Sequence, residues 1–415
     1  MKRGVSLLQK IQSLISSAHF IERHRKKFKN FSRRRKLPFD IIISTLLHLV
    51  KKSLGIECEL MELNGNKIPP FKQAFSKGRY KISHTAFQEL FNVTLEEYYK
   101  EPQIGLWKNY RIIAADGSSL RLPSSKEVEE KFGRFKANAV GPMPFIARIG
   151  LFVDLWTSVI LSARLDRWDV GEISFAKEQL PEVVNKFREL NQEKMLFMYD
   201  RGYVSYEYVQ LHRELGVDFL FRLPRNAYKD VWEKVEKGET DFIIDFKGKP
   251  SRVVALILET GEVEVLLTSL IEREEWSPTE IGKLYTLRWH IEECYKRPKI
   301  PAEIENFSGK NVEAILQEYW AHLVMCNILA THMSDVQAPW DPEAIPKYRL
   351  NFTVLFGSTR DRLRDVLQGH CSPEEFQQLF DRVSKRAKVK IRPGRKFSRD
   401  KVGIPKRHHV FRRAC

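Results

Sequence analysis

The chain has 415 residues, with 70 Lys and Arg against 53 Asp and Glu, and a formal charge of +17. That length accommodates two or three domains with a large core, and the cationic excess favours a polyanionic partner, nucleic acid or an anionic membrane surface, without choosing between them. No apolar run reaches the roughly 18 residues of a membrane span, Met1-Lys2-Arg3-Gly4 does not open a signal peptide, and the scattered Cys58, Cys294, Cys326, Cys371 and Cys415 argue against a zinc site or disulfide framework and for a reducing cytoplasm.

Residues 1–105 read as a helical region suited to DNA binding. Leu7, Leu8, Ile11, Leu14 and Ile15 repeat at helical spacing. A basic run follows, Arg23, Arg25, Lys26, Lys27 and Lys29, then Arg33, Arg34, Arg35 and Lys36. It fits either a solvated linker or a phosphate-contacting segment, since clustered cations release counterions from DNA. Phe71–Arg79 and Ser83–Phe87 predict two short helices around a turn containing Gly78, in the manner of a helix-turn-helix, although many helical hairpins read alike.

The period changes over 106–224, the first part of an α/β core. Arg111–Ala115 predicts a short strand ending at Asp116, and Phe145–Trp156 with Val159–Leu165 a hairpin. Ile173–Leu190 predicts a helix with a possible break at Pro181; Met195–Tyr199 is a buried strand ending at Asp200, and Phe219–Arg222 another. Residues 225–276 form a β-rich insertion, built on Phe242–Phe246, Arg252–Leu258 and Val263–Ser269. The core resumes over 277–330, where Pro278 and Glu280 open a helix and Asn311–Met333 is a long apolar one. Further helices fill 331–384, and 385–415 is a basic tail able to touch nucleic acid.

At about 100° per residue, Tyr285, Arg288, Glu292 and Lys299 share an arc of roughly 60° if the helix continues. Leu284, Leu287, Ile291 and Tyr295 line the neighbouring arc. Alone, such a polar face is an ordinary solvated surface with i,i+4 pairs. Two distant aspartates change its weight. Asp116, in Ala115-Asp116-Gly117-Ser118, and Asp200, in Tyr199-Asp200-Arg201-Gly202, each follow an apolar strand and precede a glycine. A lone Asp there is usually a turn former. Two of them, with Glu292, make three hard oxygen donors suited to Mg²⁺ or Mn²⁺, and two such ions about 3.5–4 Å apart suit in-line phosphoryl transfer. Asp154, Asp166, Asp169, Glu172 and Glu293 compete for these roles; Asp154, alternating with apolar neighbours, reads as an exposed strand residue. No G-x-S-x-G, P-loop or H-E-x-x-H pattern offers another chemistry.

The spacing Tyr-x2-Arg-x3-Glu-x6-Lys, met by Tyr285, Arg288, Glu292 and Lys299, resembles the signature of the insertion-sequence-four family of DDE transposases. Ala-Asp116-Gly-Ser, Asp200-Arg-Gly-Tyr, Leu266-Leu-Thr-Ser269 and Glu305-Asn-Phe-Ser-Gly309 resemble the segments around it. The resemblance implies an RNase H-like mixed-sheet core, interrupted by the β insertion and flanked by helical regions. It implies Asp116, Asp200 and Glu292 as catalytic metal ligands, with Mg²⁺ (or Mn²⁺), two ions, as cofactor. Tyr285, Arg288 and Lys299 would contact backbone phosphates, and Arg222 the scissile DNA unless it simply pairs with a carboxylate. The implied partners are double-stranded DNA, as terminal inverted repeats and target, and a second copy of the chain in a synaptic complex, with no membrane. Two departures stand out. Where some relatives carry a base-stacking Trp, this chain has Glu264 and Val265, leaving Trp276 as a substitute ring. Pro298 also disfavours a helix reaching Lys299, so Lys296 or Arg297 become substitutes. A related nuclease or integrase, and a catalytically inactive DNA-binding relic, remain as alternative readings.

Overall fold

The computed structural model describes residues 2–33, 37–49, 54–59, 72–100, 106–134, 145–191, 194–258, 261–288, 305–337 and 348–390. Its centre is an eight-stranded mixed sheet. Strands β1 (Arg111–Leu122), β2 (Phe145–Asp154) and β3 (Ile160–Arg167) form an antiparallel meander. β4 (Met195–Tyr199) and β5 (Asp218–Arg222) then add parallel to β1, giving the order β3-β2-β1-β4-β5 of an RNase H-like core. The apolar runs Ile112–Ala115 and Met195–Tyr199 are fully covered, as parallel strands walled on both faces require.

The insertion extends this sheet. β6 (Asp241–Asp245), β7 (Pro250–Ile257) and β8 (Val263–Thr268) pair antiparallel in turn, and β8 docks on β5. The three strands fall where the sequence predicts them. A helix (Lys229–Glu236) precedes them that the β-rich reading did not include.

Helices complete the layers. α1 (Arg3–Ile15), α2 (Ala18–His24), α3 (Phe39–His48), α4 (Leu54–Glu59), α5 (Lys72–Arg79) and α6 (Thr85–Tyr98) precede the sheet, and α7 (Lys126–Phe132) follows β1. α8 (Glu172–Glu189) crosses from β3 to β4, and α9 (Tyr206–Glu214) from β4 to β5. The helix of the insertion is α10, and α11 (Pro278–Thr286) returns to the core. α12 (Val312–Ser334) is buried nearly all round, packing on α6, α3 and α1, and α13 (Phe352–Leu367) and α14 (Pro373–Arg386) close against α1. The N- and C-terminal helices thus meet over α12 around one continuous apolar core.

Four local expectations are corrected. β1 does not stop at Asp116; it runs on through Gly117 to Leu122, because β2 offers a partner for every residue to that point. Gly78 lies inside α5 rather than in the turn, with its missing side chain facing Ile42. α8 runs through Pro181 unbroken. Asp154 is fully buried rather than exposed: it accepts from Arg111 Nη1 at 2.7 Å and Tyr99 Oη at 2.8 Å, and caps the Trp156 and Thr157 N–H groups. The alternation that suggests exposure fails because helix α6 brings Tyr99 over the end of β2.

The hairpin of α5 and α6 is fastened to α12. Arg79, fully buried, bonds Glu318 at 2.9 Å, Gln317 at 2.9 Å and Ser308 at 2.7 Å. Much of the first basic run is also engaged, Arg23 with Glu89, Arg25 with Glu22 and Lys26 with Glu313. Arg33 stays exposed, whereas Arg34, Arg35 and Lys36 lie outside the described residues, as does the tail beyond Lys390. Among the described residues no helix is long and apolar enough to cross a membrane.

Candidate active site

The parallel β1–β4 register pairs Ala114 with Met198. Two residues further along, Asp116 and Asp200 stand side by side at the carboxyl end of that pair, Asp116 within β1 and Asp200 at the first position beyond β4. Each carboxylate also accepts the next residue's N–H, Gly117 at 2.8 Å and Arg201 at 2.7 Å. These local bonds hold both side chains close to the main chain.

Burial pushes the Asp116 carboxyl up to about 6. The Gly117 N–H and the Arg288 guanidinium pull the other way, and the charges of Glu172 and Asp200 reinforce the rise. This is a carboxylate in a partly dry setting with like charges around it, a donor set that a hard divalent cation would neutralise. Among the described residues, no three His, Cys, Asp or Glu side chains are set to hold an ion by themselves. Glu292, Glu293 and Lys299 lie outside the described residues.

The polar stretch expected to form one helix face is described only as far as Arg288. α11 opens with a capping box between Ser277 and Glu280 and ends at Thr286. The Leu287 and Arg288 N–H groups then reach back three residues to Leu284 and Tyr285 in a tightened last turn. Tyr285 is buried and donates from its hydroxyl to the Tyr199 carbonyl at 3.2 Å, immediately before Asp200. Burial raises its phenol, with Arg288, Asp200, Glu264 and Arg222 as the surrounding charges. Arg288 is likewise buried.

Arg222 pairs with Glu264, Nε to Oε1 at 3.3 Å, across β5 and β8. Burial raises the Glu264 carboxyl, against the pull of Arg222 and Arg288 and with Asp200 adding to the rise. Asp116, Asp200, Tyr285, Arg288 and Arg222 therefore share one neighbourhood. The sequence marks Glu264 only through the ring that some relatives carry there, whereas in the structure its carboxylate pairs with Arg222 and feels the charge of Asp200. Trp276 does not replace that ring: it is buried edge-on against Trp107 and Tyr110, and its carbonyl accepts from Arg252 at 2.7 Å.

Under Asp200 the fold is stiff. Tyr199 stacks on Phe221 with ring centroids 4.7 Å apart, and Tyr208 Oη donates to Tyr199 Oη at 2.8 Å. His212 Nδ1 lies 2.7 Å from the Tyr208 carbonyl and so must donate, leaving Nε2 to accept from Tyr199 Oη at 2.9 Å. Burial drives that imidazole down to about 3, fixing it neutral.

Comparison with known proteins identifies the family. The family model described as transposase DDE domain matches residues 107–328. The chain is 23% identical over 327 residues to transposase InsG for insertion sequence element IS4 of Escherichia coli, covering 72% of this chain and 71% of that protein. A piggyBac transposase, solved by cryo-electron microscopy in a synaptic complex with hairpin DNA, superposes with a TM-score of 0.53 at 10% identity, covering 94% of this chain and 87% of that one. At that identity the likeness bears on the fold alone, and it supports the RNase H-like architecture.

Proposed function

The chain belongs to the transposase DDE-domain family, which cleaves DNA, transfers strands and uses divalent metal ions, and we propose that its reaction centre is the Asp116–Asp200 pair completed by Glu292. The observation that carries this reading is the β1–β4 register, which pairs Ala114 with Met198 and, two residues on, brings Asp116 and Asp200 alongside each other where β4 ends. In open α/β sheets that edge is where ligands bind.

We assign the ion as Mg²⁺, with Mn²⁺ as a substitute and two ions as the working number, because the three donors are all carboxylate oxygens. Such ions, when bound, activate an attacking oxygen and neutralise a leaving one. The chain's own residues supply the rest. Asp116 would bind from within β1 and Asp200 from the first residue past β4, each held by the next residue's N–H, so their positions are fixed before substrate arrives. Arg222 and Arg288 provide guanidinium groups for phosphate oxygens near the cut. Tyr285 holds the end of β4, and with it Asp200, through the Tyr199 carbonyl.

In the first step a water oxygen bonds to phosphorus as the bond to the 3′ oxygen breaks. In the second, the released 3′ hydroxyl oxygen bonds to a target phosphorus as the bond from that phosphorus to the target strand's own 3′ oxygen breaks; the leaving oxygen takes up a proton, so bond number is conserved and no nucleotide triphosphate is consumed. Two element ends must be held together, which assigns a homodimer on terminal inverted repeats. The exposed Arg33, with Arg34, Arg35 and Lys36, is assigned to backbone phosphates within an N-terminal DNA-binding region spanning residues 1–105, and Lys299 to phosphates near the cut.

The test is nicking of a labelled terminal-repeat duplex with Mg²⁺, comparing the native chain with Asp200→Ala. The native chain is expected to cut and join, and Asp200→Ala to bind without cutting. Binding without any nicking by the native chain would favour the inactive relic, and cutting without strand transfer the nuclease.

A further inference from the structure

The sequence leaves Glu172 as one of several competing acids, and the family signature gives it no role. Its position is unusual. Gly117 and Gly150 face each other across β1 and β2. A methyl at position 150 would lie 2.8 Å from Phe175 and 2.9 Å from Gln179; one at position 117 would lie 2.4 Å from Glu172 Cγ and 2.7 Å from its Oε1. The paired glycines therefore let α8 settle directly on the strands, and the first residue of that helix rests its carboxyl on the backbone beside Asp116.

Glu172 is also held there. Arg148, opposite Ser119 on β2, donates from Nη1 to Glu172 Oε1 at 2.6 Å. Arg148 is itself fixed, with Nε bonded to the Trp168 carbonyl at 3.2 Å and its guanidinium 4.3 Å from the Trp168 ring centroid. The amino end of α8 adds a favourable field for a carboxylate. Tyr203, buried, sits within the field of Asp116, Glu172 and Arg148, and its N–H bonds the Asp200 carbonyl at 3.1 Å. Backbone, helix end and arginine all place one more negative charge beside Asp116.

We infer that Glu172 is a positioning residue of the ion site, acting at one remove from Asp116 through its charge, with Arg148 and the Gly117–Gly150 pair holding it in place. The inference rests on the reading of Asp116 and Asp200 as the ion-binding pair. Among the described residues no three acidic side chains hold an ion directly, which is why the role is at one remove. A group of this kind sets ion affinity, as outer-shell partners of metal ligands do.

The test titrates Mn²⁺ into the full DNA-free chain by calorimetry, with unfolding followed separately in EDTA. Glu172→Gln is expected to bind Mn²⁺ about 10- to 100-fold more weakly with its unfolding midpoint in EDTA little changed. Glu172→Asp, which keeps the charge, is expected to recover most of the affinity. Native affinity in Glu172→Gln, with binding lost in Asp116→Asn, would overturn the role of Glu172 and leave the aspartate pair standing. Native affinity in both variants would overturn the pair as well.

Discussion

Asp116, within β1, and Asp200, the first residue past β4, each lie two residues beyond the paired Ala114 and Met198. Their proximity has a thermodynamic signature. Burial above all, aided by Glu172 and Asp200, lifts the Asp116 carboxyl from 3.8 to about 6. A carboxyl raised by folding leaves stability intact below 3.8 and lowers it as pH climbs through the folded value, because the unfolded chain ionises more readily. In EDTA, Asp116→Asn is expected to be more stable than the native chain by on the order of 2–3 kcal/mol near neutral pH and above, with the gap closing toward about pH 4. Urea unfolding at the two pH values checks this, and a gap independent of pH would refute it.

Tyr285 spends its hydroxyl on the Tyr199 carbonyl. Tyr285→Phe leaves that buried acceptor short of a partner and is expected to cost about 1–3 kcal/mol. Because the bond anchors the end of β4, cleavage should fall while affinity for a terminal-repeat duplex stays near the native value. A drop in affinity matching the drop in cleavage would instead make Tyr285 a phosphate contact.

Arg79 and Glu318 form a buried ion pair that ties α5 to α12 and, through Ser308, to the Glu305–Gly309 segment. Glu305 in turn accepts from the Arg121 N–H at 3.0 Å, joining that segment to β1. Arg79→Ala strands a buried carboxylate and should cost about 3–5 kcal/mol in chemical unfolding. Removing both charges with Arg79→Met and Glu318→Leu should recover part of that loss, which a double-mutant cycle measures.

DNA binding should weaken steeply with salt, since the chain carries a +17 formal charge. Replacing exposed Arg33 with Ala is expected to weaken binding alike on specific and unrelated duplexes and to reduce the logarithmic salt slope by about one. An unchanged slope would place Arg33 away from the phosphates.

The sequence by itself determined the strand-forming runs and the chemistry. Ile112–Ala115, Met195–Tyr199 and the three insertion strands are short apolar or β-rich stretches, too short for a helix and bounded by turn residues, and Asp116 and Asp200 are conspicuous because each follows such a run. The spacing of Tyr285 and Arg288 was legible in the same local way, and the family itself is shown by the match to the transposase DDE domain over residues 107–328. What each polar group does was decided by tertiary structure, because burial and pairing depend on residues distant in the chain. Asp154 looked solvent-facing until Arg111 and Tyr99 closed on it. Tyr285 turned inward to a carbonyl 86 positions away. Glu264 gained its place beside Asp200 only when β8 paired with β5. Glu172 comes to rest against the backbone next to Asp116 because two glycines, Gly117 and Gly150, meet across a sheet register that no local pattern encodes.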